Sequence, residues 1–177
     1  MMVTLVIGGA ASGKSEFAES LVLRAGDLPR TYIATMQPFD DECRARIRRH
    51  REMRAKKKFE TVECFTNLEQ LNLPQKGVVL LECMSNLVAN ELYSPDGAGE
   101  HTLEAIERGI RHLIPQCEEL IIVSNEVFSG GCDYEGDTLR YLRVLAQVNR
   151  MAAKEADTVY EVVCGVPVCH KGEETKR

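Results

Sequence analysis

Gly8-Gly9-Ala10-Ala11-Ser12-Gly13-Lys14-Ser15 meets every fixed position of the phosphate-loop pattern G-x-x-x-x-G-K-[ST]. Its flanks give the pattern meaning. Val3-Thr4-Leu5-Val6-Ile7 is a short β-branched apolar run, as a buried strand should be, and Glu16 to Leu23 reads as a helix. Strand, glycine loop and helix together form a cradle in which backbone N–H groups turn toward phosphate oxygens and the helix start adds its positive dipole end. Within it Lys14 reaches the β- and γ-phosphates of a nucleoside triphosphate, and the Ser15 hydroxyl suits Mg²⁺.

Outward from the loop, apolar runs alternate with helical patterns. The predicted strands are 3–8, 31–35, 60–63, 77–82, 119–125 and 158–163, and the predicted helices are 14–25, 40–57, 84–93, 100–115 and 135–156. Val78-Val79-Leu80-Leu81 and Leu120-Ile121-Ile122-Val123 are continuous rather than alternating, which suits strands covered on both faces. The expectation is an α/β fold with a mostly parallel central sheet between helix layers. In such sheets ligands sit at the carboxyl ends of strands, so Thr35, Glu63, Glu82 and Asn125-Glu126 share a crevice with the P-loop.

A chain of 177 residues fits one P-loop nucleotide-binding domain spanning 1–177. The net charge of −5 argues against generic nucleic-acid binding. No apolar run approaches the ~18 residues a membrane span needs, and the N-terminus enters strand and loop directly. The expectation is a cytoplasmic protein. The seven cysteines contain no Cys-x-x-Cys pair, so they read as reduced thiols rather than a zinc site.

Asp40 to Lys58 is the second unusual segment. Nine of the fifteen residues from Arg44 to Lys58 are basic, and Arg46, His50 and Arg54 recur every four residues along one helical face. Such a run fits a solvated charged helix or a nucleic-acid-binding one. It also fits chemistry: neighbouring positive charge keeps the imidazole of His50 neutral and nucleophilic, while the same arginines neutralise a triphosphate under attack.

A phosphoryl-transfer site also needs an acid near Mg²⁺. Glu82, ending the run Val78 to Leu81, is the first candidate and Glu63, after Thr61-Val62, the second. Either carboxylate could instead pair with a basic side chain of the 40–58 segment.

Together these pieces resemble the bifunctional adenosylcobinamide kinase/adenosylcobinamide-phosphate guanylyltransferase family. The resemblance is carried by the P-loop and Tyr32-Ile33-Ala34-Thr35, then Asp40-Asp41-Glu42 and Arg46-Ile47-x-x-His50-x-x-x-Arg54. It continues through Glu63-Cys64, Leu80-Leu81-Glu82-Cys83, Asn125-Glu126-Val127, Ala156-Asp157 and Gly165-Val166-Pro167. It implies a RecA-like three-layer P-loop fold, a homotrimer and two reactions. In the first, ATP or GTP phosphorylates adenosylcobinamide. In the second, GTP guanylylates a histidine, aligned with His50, and GMP passes to adenosylcobinamide phosphate. The resemblance makes His50 and Lys14 the catalytic pair. It places nucleotide contacts at Gly8 to Ser15, at Ala34, Thr35 and Met36, at Arg51, Glu52, Met53 and Arg54, and at Glu63 and Glu82. Mg²⁺ falls to Ser15 and Glu82. Ala11 stands where many members carry Arg, and Phe128 to Asp133 and Leu142 to Ala146 also depart from the family's usual pattern.

Two other readings compete with this one. One is a monofunctional small-metabolite P-loop kinase in which His50 is incidental. The other is a regulatory GTP-binding protein, which the lack of an N-K-x-D or T-K-x-D motif disfavours.

Overall fold

The structure is a computed structural model and describes residues 1–38, 41, 44–45, 47–48, 52, 57–128 and 134–172. Seven strands form one sheet: β1 (Met2–Gly8), β2 (Arg30–Ala34), β3 (Phe59–Glu63), β4 (Val78–Glu82), β5 (Glu119–Asn125), β6 (Thr158–Val163) and β7 (Val166–Lys171). Their order is β3-β2-β4-β5-β1-β6-β7. All pairings are parallel except β6 with β7. The principal helices are α1 (Lys14–Arg24), α2 (Met84–Tyr93), α3 (Thr102–Leu113) and α4 (Gly136–Glu155).

The continuous apolar strands divide by parity, as a pleated strand covered on both faces must. Val79, Leu81, Leu120 and Ile122 pack into one core with α2, α3 and α4, whereas Val78, Leu80, Ile121 and Val123 pack into a second core with Ala18, Leu21 and Val22 of α1. Three layers result, with the sheet in the middle. The expected strands and helices match these elements to within a residue or two. The described residues between 41 and 52 are helical, while the rest of the expected 40–57 helix lies outside the described residues apart from Lys57, which stands in a turn.

The sequence reading omitted β7. Pro167 interrupts its run, and a proline lacks the N–H that a central strand must donate. β7 is the outermost strand, bonded to β6 alone, so the missing donor is tolerated.

α3 is a clear amphipathic helix, burying Thr102, Ala105, Ile106, Gly109, Ile110 and Leu113. Gly109 is needed for closeness: a Cβ there would lie 2.7 Å from Leu68 Cβ and 3.0 Å from Leu68 Cγ. Gly109→Ala gains about 1 kcal/mol of helix propensity but overpacks the core by roughly 1–3 kcal/mol. The expected outcome is a net loss of about 1 kcal/mol in urea unfolding. A more stable variant would show that Leu68 yields freely.

Burial pushes the Cys64 and Cys117 thiols up from 9.0 to about 11, with Glu91 adding to the rise at Cys64. Both are therefore neutral in the folded chain at neutral pH. A raised folded value means their contribution is complete below pH 9 and is lost as pH climbs toward 11. The urea midpoint should fall across that window, and fall less steeply in the Cys64→Ala/Cys117→Ala variant, which starts less stable.

Candidate active site

β1 ends at Gly8 and α1 begins at Lys14, so the eight-residue motif wraps the carboxyl end of a central strand. Gly8 has no room for a side chain: a Cβ would meet Ser12 Oγ at 2.5 Å and the Val162 carbonyl oxygen at 2.7 Å. A Cβ on Gly9, by contrast, would meet nothing within 4 Å. Ala11 (φ 55°) and Gly13 (φ 88°) both take the left-handed conformation that curls the loop. Ser12 N–H donates to Gly9 O at 3.3 Å, and Lys14 Nζ donates to the same carbonyl at 3.0 Å, drawing the ammonium across the loop. Ala10 lies at the loop's exposed crest.

The far side of the loop is held by the β6–β7 turn. Gly165 N–H donates to Ser12 O at 2.8 Å, and a Cβ on Gly13 would come within 3.2 Å of Gly165 Cα. Ser12 Oγ is buried without a hydrogen-bond partner. It is wedged between Gly8 and the backbone of β6, where a Cβ on Gly8 would collide with it at 2.5 Å.

Ser15 Oγ donates to Glu82 Oε1 at 2.5 Å. A hydroxyl and a carboxylate so placed are hard oxygen ligands, and Mg²⁺ is held by one or two such groups together with phosphate oxygens and water. The residues present therefore fit the ion. Topology separates the two candidate acids. Glu82 ends β4, two strands from β1, whereas Glu63 ends β3, four strands away. At ~4.8 Å per strand that puts Glu63 roughly 19 Å from the P-loop strand.

Ala34, Thr35 and Met36 follow the end of β2. Thr35 is fully buried, and its hydroxyl bonds the backbone of Cys83, accepting from Cys83 N–H at 2.8 Å and donating to Cys83 O at 2.9 Å. Its carbonyl accepts from Asn90 at 2.8 Å. The side chain of Thr35 thus fixes the strand end that carries Glu82. Burial pushes the Cys83 thiol up, and its sulfur contacts Ser85 Oγ at 2.9 Å, so it stays a neutral thiol.

His50, Arg51, Met53 and Arg54 lie outside the described residues; Glu52 is helical and exposed. At the end of that segment Lys57 pairs with Glu19 on α1. Among the described residues no three His, Cys, Asp or Glu side chains group as a metal cluster, and no helix is long and apolar enough to cross a membrane.

Two structural supports escaped the sequence reading. One is the Gly165 turn, which Gly165-Val166-Pro167 marked without indicating a contact. The other is Asn149 on α4, whose side chain bonds both Ser124 Oγ (2.6 Å) and Asn125 O (3.2 Å). Nothing local in a 20-residue helix distinguishes that asparagine.

The family described as cobinamide kinase / cobinamide phosphate guanyltransferase matches residues 4–169. The chain belongs to this family. The bifunctional adenosylcobalamin biosynthesis protein CobU of Salmonella typhimurium is 37% identical over 183 residues, covering 94% of this chain and 98% of that protein. CobP of Pseudomonas aeruginosa, which bears the same description, is 30% identical over 179 residues, covering 97% and 99%. Among solved structures, a KaiC-like protein from Pyrococcus horikoshii superposes with a TM-score of 0.55 at 10% identity, over 99% of this chain and 82% of that one. That likeness is one of fold.

The Ser15–Glu82 pair yields a direct test. Glu82→Gln keeps the shape and removes the charge. Triphosphate binding measured calorimetrically with Mg²⁺ should weaken by about 10–100-fold, and binding in EDTA should change by less than about twofold. Equal losses in both buffers would assign Glu82 to the nucleotide instead.

Proposed function

We propose that this chain catalyses two successive transfers: phosphorylation of adenosylcobinamide by ATP or GTP, then transfer of GMP from GTP to the product, giving adenosyl-GDP-cobinamide. The observation that carries the nucleotide half is the cradle itself. The glycine loop between β1 and α1, and the Ser15–Glu82 pair at its end, are the parts that a triphosphate and its metal ion would use. Family membership supports the corrinoid half.

In the first transfer Lys14 draws charge off the γ-phosphoryl group as it moves to the aminopropanol hydroxyl. Mg²⁺, held by Ser15 and Glu82, would supply charge neutralisation when bound. In the second, a neutral His50 nitrogen attacks the α-phosphorus of GTP. An N–P bond forms, the bond to the α–β bridging oxygen breaks, and pyrophosphate leaves. A phosphate oxygen of the corrinoid product then attacks the same phosphorus and returns the electron pair to the imidazole. Arg51 and Arg54 supply positive charge to the triphosphate during this exchange, with Glu52, Met53, Glu63 and the Ala34–Met36 strand end as further nucleotide contacts. The resemblance supports a homotrimer working in the cytoplasm.

Incubation with α-labelled GTP and Mg²⁺ tests the reading. Wild type should take up acid-labile, base-stable label, and His50→Ala should take up none while still phosphorylating adenosylcobinamide. Lys14→Ala should lose at least about 100-fold in phosphorylation rate, in line with removal of one preorganised charge. A wild type that phosphorylates but never labels would reduce the chain to a kinase.

A further inference from the structure

We infer that Glu126 is the general base of the kinase step, accepting the proton of the alcohol as it attacks the γ-phosphorus. This rests on the function proposed above and adds a residue to it.

Position is the first reason. β5 lies between the P-loop strand β1 and the Glu82 strand β4. Its last residue, Asn125, is in register with Gly8, and the next residue, Glu126, donates its backbone N–H to Gly8 O at 3.0 Å. Glu126 is therefore fixed at the mouth of the loop, on the side where Ser15 and Glu82 meet. The γ-phosphoryl group belongs on that side, because the metal ligands gather there.

Rigidity is the second. The end of β5 is tied twice by the helix layer that holds α2 and α4. Asn125 Nδ2 donates to Ser85 Oγ at 2.7 Å, and Asn149 Nδ2 donates to Asn125 O at 3.2 Å. The carboxylate is itself oriented, since Glu126 Oε1 accepts from Phe128 N–H at 2.9 Å. A base held this way loses little on forming the reactive geometry.

Division of labour is the third. The Glu82 carboxylate is engaged with Ser15. Glu63 stands at the far edge of the sheet. Glu16 is exposed on the first turn of α1. Glu126 is half-buried at the end of β5 beside the P-loop strand, its Oε1 held by Phe128 N–H. In the step, the alcohol oxygen bonds to the γ-phosphorus as the bond to the β–γ bridging oxygen breaks. The nucleoside diphosphate leaves with that pair, and the hydroxyl proton passes to Glu126 and then to water.

The test compares full-length wild type, Glu126→Gln and Glu126→Asp in two assays. One measures phosphorylation of adenosylcobinamide by ATP, and the other measures labelling by α-labelled GTP. Glu126→Gln should lower kinase kcat about 100-fold, with KM for ATP within about twofold. Labelling should remain within about twofold of wild type, and Glu126→Asp should recover part of kcat. A Glu126→Gln kinase within about threefold of wild type overturns the assignment and leaves the proposed function standing. So does a parallel loss of both activities, which would make Glu126 a support of the fold. A wild type that never phosphorylates adenosylcobinamide overturns both.

Discussion

Three separate stretches of chain converge on Gly8 because it carries no side chain. The Ser12 hydroxyl and the Val162 carbonyl both occupy the space a Cβ would take, at 2.5 and 2.7 Å from it, and its own carbonyl takes the Glu126 N–H. A methyl group there would force the loop off β6. The P-loop curl, the turn that braces it and the placement of the β5 end all assume that closeness. The glycine is thus a packing requirement first, and a conformational one only at Gly13, where φ is positive.

From that junction the two cores take different roles. The α1 side is the smaller and holds the loop through the helix that follows it. The other side gathers α2, α3 and α4 and supplies the polar ties that reach the crevice. Ser85 on α2 and Asn149 on α4 bond the end of β5, and Asn90 on α2 bonds the end of β2. A buried polar group is costly unless paired, and here the pairing also fixes the strand ends from which Glu82, Asn125 and Glu126 extend.

Much of this was legible in the residues. The P-loop declared itself because its glycines, lysine and serine have fixed spacing. The parallel strands did so because Val78 to Leu81 and Leu120 to Val123 are apolar on both parities. β7 was hidden by Pro167, whose cost vanishes at a sheet edge, and edge position is a tertiary fact. Glu82 ranks ahead of Glu63 in the sequence, though both follow apolar runs; the strand order, which no local pattern encodes, sets Glu82 beside Ser15 and Glu63 four strands from β1. The bonds of the Thr35 hydroxyl to the backbone of Cys83 join residues 48 apart, so no local pattern announces them. The reading of His50 still rests on sequence and family membership.

The strand order also bears on how the chain comes together as it is made. β1 leaves the ribosome before the other six strands, but its partners among the described residues are β5 and β6, which begin at Glu119 and Thr158. The opening strand must wait for most of the chain before its edges are covered, and long-range parallel pairing of this kind is slow to form. The loop that grips phosphate therefore gains its shape among the last elements, once the Gly165 turn has arrived to brace it. A chain stalled or cut before that turn would hold every residue of the motif and still lack the brace behind its loop.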